Sequence, residues 1–242
     1  MADKIATVMR PRYTLDDLMR VTGTVEVTAH GHTRLYYLRT IGQDADDARR
    51  AFAVSKSRQT YRILQDHESS DYLEYILDLE TAEREHLERV CLVLKRREFQ
   101  RQVSFEVMTE NTPEPPSNPT PTDVVEAEEA EDIIQEDTDK RRVEWVDRMA
   151  KEYEEELHVK DIEALRELTI AMQTSAVTDN AFSRGFNAAT LYWATFKDAK
   201  NKQRAFMSPS EVYDADPALY NALLTAYYEM DVFSADSDAL KN

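Results

Sequence analysis

The sequence predicts an α+β fold that is predominantly α-helical: an N-terminal β-hairpin with helices, a flexible acidic linker and a C-terminal helical domain. Three observations carry this reading. Apolar residues recur at intervals of three and four over most of the chain, the signature of amphipathic helices, and only four glycines interrupt 242 residues. Two short runs near the start alternate with period two instead. Five of the eight prolines crowd between Pro113 and Pro121, followed by an acidic run through Asp137. Proline removes backbone donors and disfavours helix in the residue before it, and like charges repel, so residues 109–137 are expected to be a disordered joint, with at most a transient helix around Val124 to Gln135, whose Ala127, Ala130, Ile133 and Ile134 lie on one side. The joint divides the chain into a hairpin-plus-helices domain over 1–108 and a helical domain over 138–242.

In the first domain, Tyr13 to Met19 reads as a short helix with Thr14 as N-cap and Asp16 and Asp17 in the first turn. The runs Thr24 to Thr28 and Arg34 to Leu38, rich in β-branched and aromatic residues, flank His30-Gly31-His32 and indicate a hairpin. From Asp44 the pattern turns helical, with Ala48 and Phe52 four apart and three aspartates at the positive end of the helix dipole. A second helix begins near Ser70 and places Tyr72, Ile76, Leu79, Leu87, Val90, Cys91 and Leu94 on one face. Arg97 to Met108 is open to two readings, because Val103, Phe105 and Val107 alternate like a strand after helical sequence.

The second domain opens with a highly charged helix over Thr138 to Leu157. Asp161 to Ala176 buries Ile162, Leu165, Leu168 and Met172. Asp179 is placed to cap a third helix, whose Phe182, Phe186, Ala189, Trp193 and Phe196 form an apolar stripe. Ser208-Pro209-Ser210-Glu211 combines proline at the first helical position with a capping box, and Asp216-Pro217 repeats the start signal. The last helix sets Tyr220, Leu223, Leu224, Tyr227 and Tyr228 on one broad side, with a frayed tail expected after Asp231.

The formal net charge of −17 is unevenly spread. Residues 1–108 carry 17 basic and 18 acidic side chains, 109–137 none and 10, and 138–242 carry 13 and 19. More than half of the net charge thus sits in the joint. An acidic chain repels phosphates and anionic lipid, because binding them relies on Lys and Arg displacing counterions. Neither nucleic acid nor membrane is expected as a partner, and Lys95, Arg96, Arg97 and Arg101 read as a solvated helix face. The single cysteine, Cys91, allows no intramolecular disulfide. The first residues lack an apolar signal core, and no run approaches the roughly 20 apolar residues of a membrane span. A reducing cytoplasm fits these features.

No Gly-rich phosphate loop, nucleophile elbow or paired-cysteine motif occurs. His30 and His32 alternate around Gly31 without a third ligand nearby, and His67, His86 and His158 lie in charged helical sequence. Glu152, Glu154, Glu155 and Glu156 spread around a helix instead of converging. No catalytic, cofactor-binding or metal-binding residues are therefore assigned, and the chain is expected to bind proteins rather than catalyse a reaction. Most of the aromatic side chains of the second domain are expected in the core, and the candidate partner-binding residues, from which an exposed groove for a partner helix would be built, are Tyr192, Trp193, Phe196, Phe206, Tyr220, Tyr227 and Tyr228, since Tyr and Trp are enriched at binding hot spots.

Two segments resemble the tail assembly chaperones of long-tailed bacteriophages. The first is Tyr13-Thr14-Leu15-Asp16-Asp17-Leu18-Met19 followed by Thr24-Val25-Glu26-Val27 and Leu35 to Leu38. It is similar to the short helix and hairpin with which many of these proteins begin. The second runs from Asn187-Ala188-Ala189-Thr190-Leu191-Tyr192-Trp193 through Arg204 to Val212 and on through Leu219 to Met230. It looks like the family's helix, loop, Phe-x-Ser-Pro-x-Glu-Val turn and final helix. The resemblance implies an assembly factor of the host cytoplasm, with no enzymatic activity, that coats the tape measure protein and recruits tail tube subunits. Self-association is compatible with the same surfaces, and a structural virion or adaptor protein is the alternative.

Overall fold

A computed structural model describes residues 22–29, 32–41, 45–106 and 121–239, with side chains described for all of these except 22, 29, 32, 104–106, 121–138 and 231–239. The short helix expected at Tyr13 to Met19 lies outside the described residues. The chain forms two compact units, one of Met1–Arg62 with Val177–Asn242 and one of Ile63–Ala176. This division does not follow the proline-rich stretch, because the hairpin of the first unit is completed by residues from the far end of the chain. A two-stranded hairpin is at best marginal in water and needs a covering element.

In the first unit, β1 (Thr22–Ala29) and β2 (His32–Arg39) pair antiparallel with Val25 opposite Tyr36 and Val27 opposite Arg34. The alternation sets Val25, Val27, Tyr36 and Leu38 inward, all buried. Helix α1 (Asp46–Leu64) follows. Its buried position in this unit is Ala53, whereas Ala48 is exposed and Phe52 half-buried, so the expected stripe is rotated by one residue. The reason is close packing: Gly185 sits so near that a Cβ there would lie 3.1 Å from Ala53 Cα.

The second unit is helical. Ser69 caps α2 (Ser70–Tyr75), its hydroxyl accepting the Tyr72 N–H. Helices α3 (Leu77–Thr81) and α4 (Arg84–Glu106) follow. Tyr72, Ile76, Leu79, Leu87 and Cys91 are buried as the periodicity requires. Helical structure continues through Glu106, which resolves that segment as helix; Val107 is outside the described residues. Helix α5 (Pro121–His158) corrects the expected linker over residues 121–137. Every proline of the cluster lies at or before residue 121, and Pro121 takes the first helical position, where a missing N–H costs nothing. Beyond it Glu and Ala have high helix propensity, and the early acidic residues suit the dipole, which outweighs their mutual repulsion. Residues 107–120 lie outside the described ones.

Helix α6 (Ile162–Ala194) is another correction. Asp161 starts it by accepting the Ala164 N–H at 2.8 Å. No break follows at Asp179, which is exposed in mid-helix. An N-cap residue starts a helix only where the preceding backbone leaves helical geometry, and no proline or glycine intervenes before Gly185. Leu87, Cys91, Leu157 and Leu165 form the second unit's main core, and Phe99, Val103 and Val146 a smaller one between α4 and α5. Ile162, expected in that core, is 38% exposed. The Cys91 Sγ lies 3.0 Å from Thr169 Oγ1, which donates in turn to the Leu165 carbonyl, and burial pushes the thiol's pKa up.

The chain then returns to the first unit, where α6 ends in β3 (Thr195–Phe196), which pairs antiparallel with β2 to give the order β1-β2-β3. Phe196, expected on a helix, is therefore a strand residue. Helices α7 (Pro209–Tyr213) and α8 (Pro217–Ala239) complete the unit. Helix α8 continues past Asp231, where fraying was expected. Its Leu223, Ala226 and Met230 join Val25, Leu38, Leu191 and Val212 in one core.

Leu223→Ala and Leu87→Ala are each expected to cost about 2 to 5 kcal/mol, from lost burial plus the cavity left behind. Gly185→Val should cost about 1 to 3 kcal/mol by overpacking against α1. Gly185→Ala should cost less, because helix propensity gains about 1 kcal/mol. Chemical denaturation of the purified variants measures all four.

Candidate partner-binding surface

The candidate aromatic residues all belong to the first unit, on the stretch from the end of α6 to α8. They do not form one surface. Phe196, Phe206, Tyr220 and Tyr227 are buried, Tyr192 and Trp193 are half-buried, and Tyr228 is 49% exposed. Phe206 stacks on Tyr36 with ring centroids 6.3 Å apart, which seats the loop before α7 on the sheet. The Tyr220 hydroxyl reaches the Arg184 carbonyl at 3.4 Å, and burial raises its pKa. Most of the set is thus core, as expected when a small domain must cover a sheet with few elements. Tyr228 remains outside and donates to Asn187 Oδ1 at 3.0 Å.

Tyr192 and Trp193 serve the end of α6. The last carbonyls of a helix have no partner within it. Arg204 supplies one, donating to the Tyr192 carbonyl at 3.0 Å and lying toward that of Trp193 at 3.4 Å. Its guanidinium carbon stands 4.0 Å from the Trp193 ring centroid and 4.8 Å from that of Tyr192. Charge near the negative end of the dipole and cation–π attraction act together here.

The connecting loop is built on Asp198. Its carboxylate accepts the N–H groups of Lys200, Lys202 and Gln203, the last at 2.7 Å, and Asn201 takes a left-handed conformation with φ 53°. Asparagine tolerates that region better than most residues. These bonds, chiefly the one from Gln203, hold the carboxyl below its ordinary pKa.

Beside this loop lies an open cavity of about 680 Å³. Leu35, Tyr36, Phe206 and Leu219 give it an apolar lining. Arg34 and Lys197 contribute positive charge, and Glu211, Asp214 and Asp216 contribute negative charge from the α7–α8 region. Leu35 is 49% exposed and Met207, which follows Phe206, is 92% exposed. Sequence reasoning missed this place. A signal did exist: in Leu35-Tyr36-Tyr37-Leu38 apolar residues occupy both faces of the strand, so one face must present them outward.

Of the histidines singled out in sequence, the side chains of His30 and His32 lie outside the described ones; His67, His86 and His158 are exposed. Among the described residues, no three His, Cys, Asp or Glu side chains converge as a metal site. No described helix is long and apolar enough to cross a membrane. Comparison with known proteins finds no matching family model, no matching curated protein and no matching solved structure.

Asp198 supplies a pH test of the loop. A carboxyl whose folded pKa is depressed contributes stability above its unfolded value, and that contribution is lost as pH falls through the folded value. Wild type should therefore exceed Asp198→Asn in stability by a constant margin at neutral pH. The margin should shrink below the ordinary carboxyl value of 3.8. Denaturation of both proteins across acidic pH, with hydrogen exchange at the Gln203 amide, reads this out.

Proposed function

We propose that this protein is a tail assembly chaperone of a long-tailed phage, binding the tape measure protein and recruiting tail tube subunits during tail morphogenesis. The observation that carries the reading is that its two resembling segments meet. The hairpin residues Val25, Val27, Tyr36 and Leu38 share one core with Ala188, Leu191, Val212, Leu223 and Met230, from the other end of the chain. Segments that resemble one family and pack together support a common origin better than scattered likenesses do.

The Phe-x-Ser-Pro-x-Glu-Val turn supports the reading at finer grain, since each of its residues has a structural task. Phe206 stacks on Tyr36. Ser208 Oγ accepts the Glu211 N–H at 3.3 Å, and Pro209 occupies the start of α7. The Glu211 carboxylate accepts the Met207 N–H at 2.7 Å, and Val212 is fully buried. This arrangement leaves Met207 projecting from a rigid turn. Flexible, exposed methionine suits a surface that must follow an irregular apolar partner.

The net charge of −17 gives such a chaperone a second use, keeping a coated, aggregation-prone partner in solution through like-charge repulsion. The test is co-expression of the tagged chain with the tape measure and tube proteins of the same phage, followed by pull-down. Retention of soluble tape measure protein is the expected result, with less retained by Met207→Glu. Association with neither protein contradicts the proposal. Stoichiometric presence in purified particles would favour a permanent structural or adaptor role instead.

A further inference from the structure

We propose that the outer edge of β2 is a strand-addition site, which takes an extended segment of a partner protein carrying apolar and basic residues on the face it turns to the adjoining cavity. The inference goes beyond the chaperone reading and does not depend on it. It begins with the direction of the backbone groups in β3. Lys197 donates its N–H to the Gln203 carbonyl at 2.8 Å and Thr195 accepts that of Ala205 at 3.0 Å, so both face the returning loop. Phe196, between them, faces β2 and pairs with Tyr37. Main-chain groups alternate sides along a strand, so Leu35 and Thr33 aim theirs toward the side on which Tyr37 meets Phe196.

Strand β3 ends at Phe196, however, and the chain turns away. Among the described residues no main-chain group pairs with Leu35 or Thr33 on that side. Unpaired N–H and C=O groups on a strand are a template for another strand. What they border is not a flat edge but the cavity of about 680 Å³, floored by Tyr36, Phe206 and Leu219. An added strand can place alternate apolar side chains into it. A second copy of the chain, itself strongly acidic, would bring like charge to the same rim.

Charge decides what else that cavity-facing side carries. Glu211, Asp214 and Asp216 outnumber Arg34 and Lys197 around the cavity, and the chain as a whole is strongly acidic. Basic side chains on the added strand complement this, and acidic ones are repelled. The α7–α8 region that supplies the three carboxylates is held by its own caps, Asp216 accepting the Ala218 N–H at 2.8 Å. The site is thereby preorganised on both sides, the strand edge on one and the capped turn on the other.

The test uses the full chain, isotope-labelled, and four synthetic peptides of about six residues, the length of an ordinary strand. One carries valine and lysine at every second position with serine between them, one carries valine and glutamate in the same arrangement, and two are the valine–lysine peptide N-methylated at alternate amides, one in each register. The valine–lysine peptide is expected to bind with a Kd of about 1 mM or tighter and to slow hydrogen exchange at the Leu35 and Thr33 amides. The glutamate peptide should bind about tenfold more weakly, and one N-methylated register should not bind. Asp214→Lys, at an exposed position, should reverse the preference between lysine and glutamate. Absence of binding, binding that leaves both amides unprotected, or equal binding of both N-methylated registers overturns the proposal. So does protection that appears without peptide and grows with protein concentration, which would assign the edge to a second copy.

Discussion

A two-stranded hairpin cannot bury its own apolar face, and much of this protein follows from that constraint. Val25, Val27, Tyr36 and Leu38 all point to one side of β1 and β2, and fully burying such a side chain stabilises by about 1.5 to 3 kcal/mol. The cover comes from the far end of the chain. Leu191 of α6, Val212 of α7 and Leu223 of α8 close over the sheet, and Phe206 stacks on Tyr36. Between the hairpin and its cover the chain makes a second unit with cores of its own.

The same constraint explains the fate of the aromatic residues. A small sheet covered by few helices needs bulky side chains, and Phe196, Phe206, Tyr220 and Tyr227 provide them. Tyr192 and Trp193 are held near the end of α6 by Arg204, which satisfies carbonyls that the helix leaves open. What the core does not use stays at the surface: Leu35, Met207 and Tyr228, and the edge of β2 beyond the short β3. The strand addition proposed above differs from the helix-in-groove mode that an aromatic stripe suggests, because backbone hydrogen bonding would supply the affinity.

Local features of this fold were legible in the sequence. The hairpin declared itself through period two, and the starts of α7 and α8 through Ser208-Pro209 and Asp216-Pro217. The buried face of Tyr72, Ile76, Leu79, Leu87 and Cys91 followed from helical spacing. What escaped was decided by competition or by distance. Asp179 has the chemistry of a cap, but helix propensity on both sides of it prevails. Acidic residues after Pro121 repel one another, yet their propensity and the dipole favour α5. The pairing of β3 with β2 joins residues remote in sequence, which no local pattern encodes. The candidate cavity escaped for that reason too, since its walls come from β2, the loop after β3 and the α7–α8 region.

The central claim is that the hairpin and the C-terminal helices share one core. Methyl NOE spectroscopy on selectively labelled protein tests it most directly. Cross-peaks linking Val25 and Val27 to Leu223 and Met230 of α8 are the predicted result. Their absence, with the cross-strand contacts of the hairpin itself retained, would contradict the account.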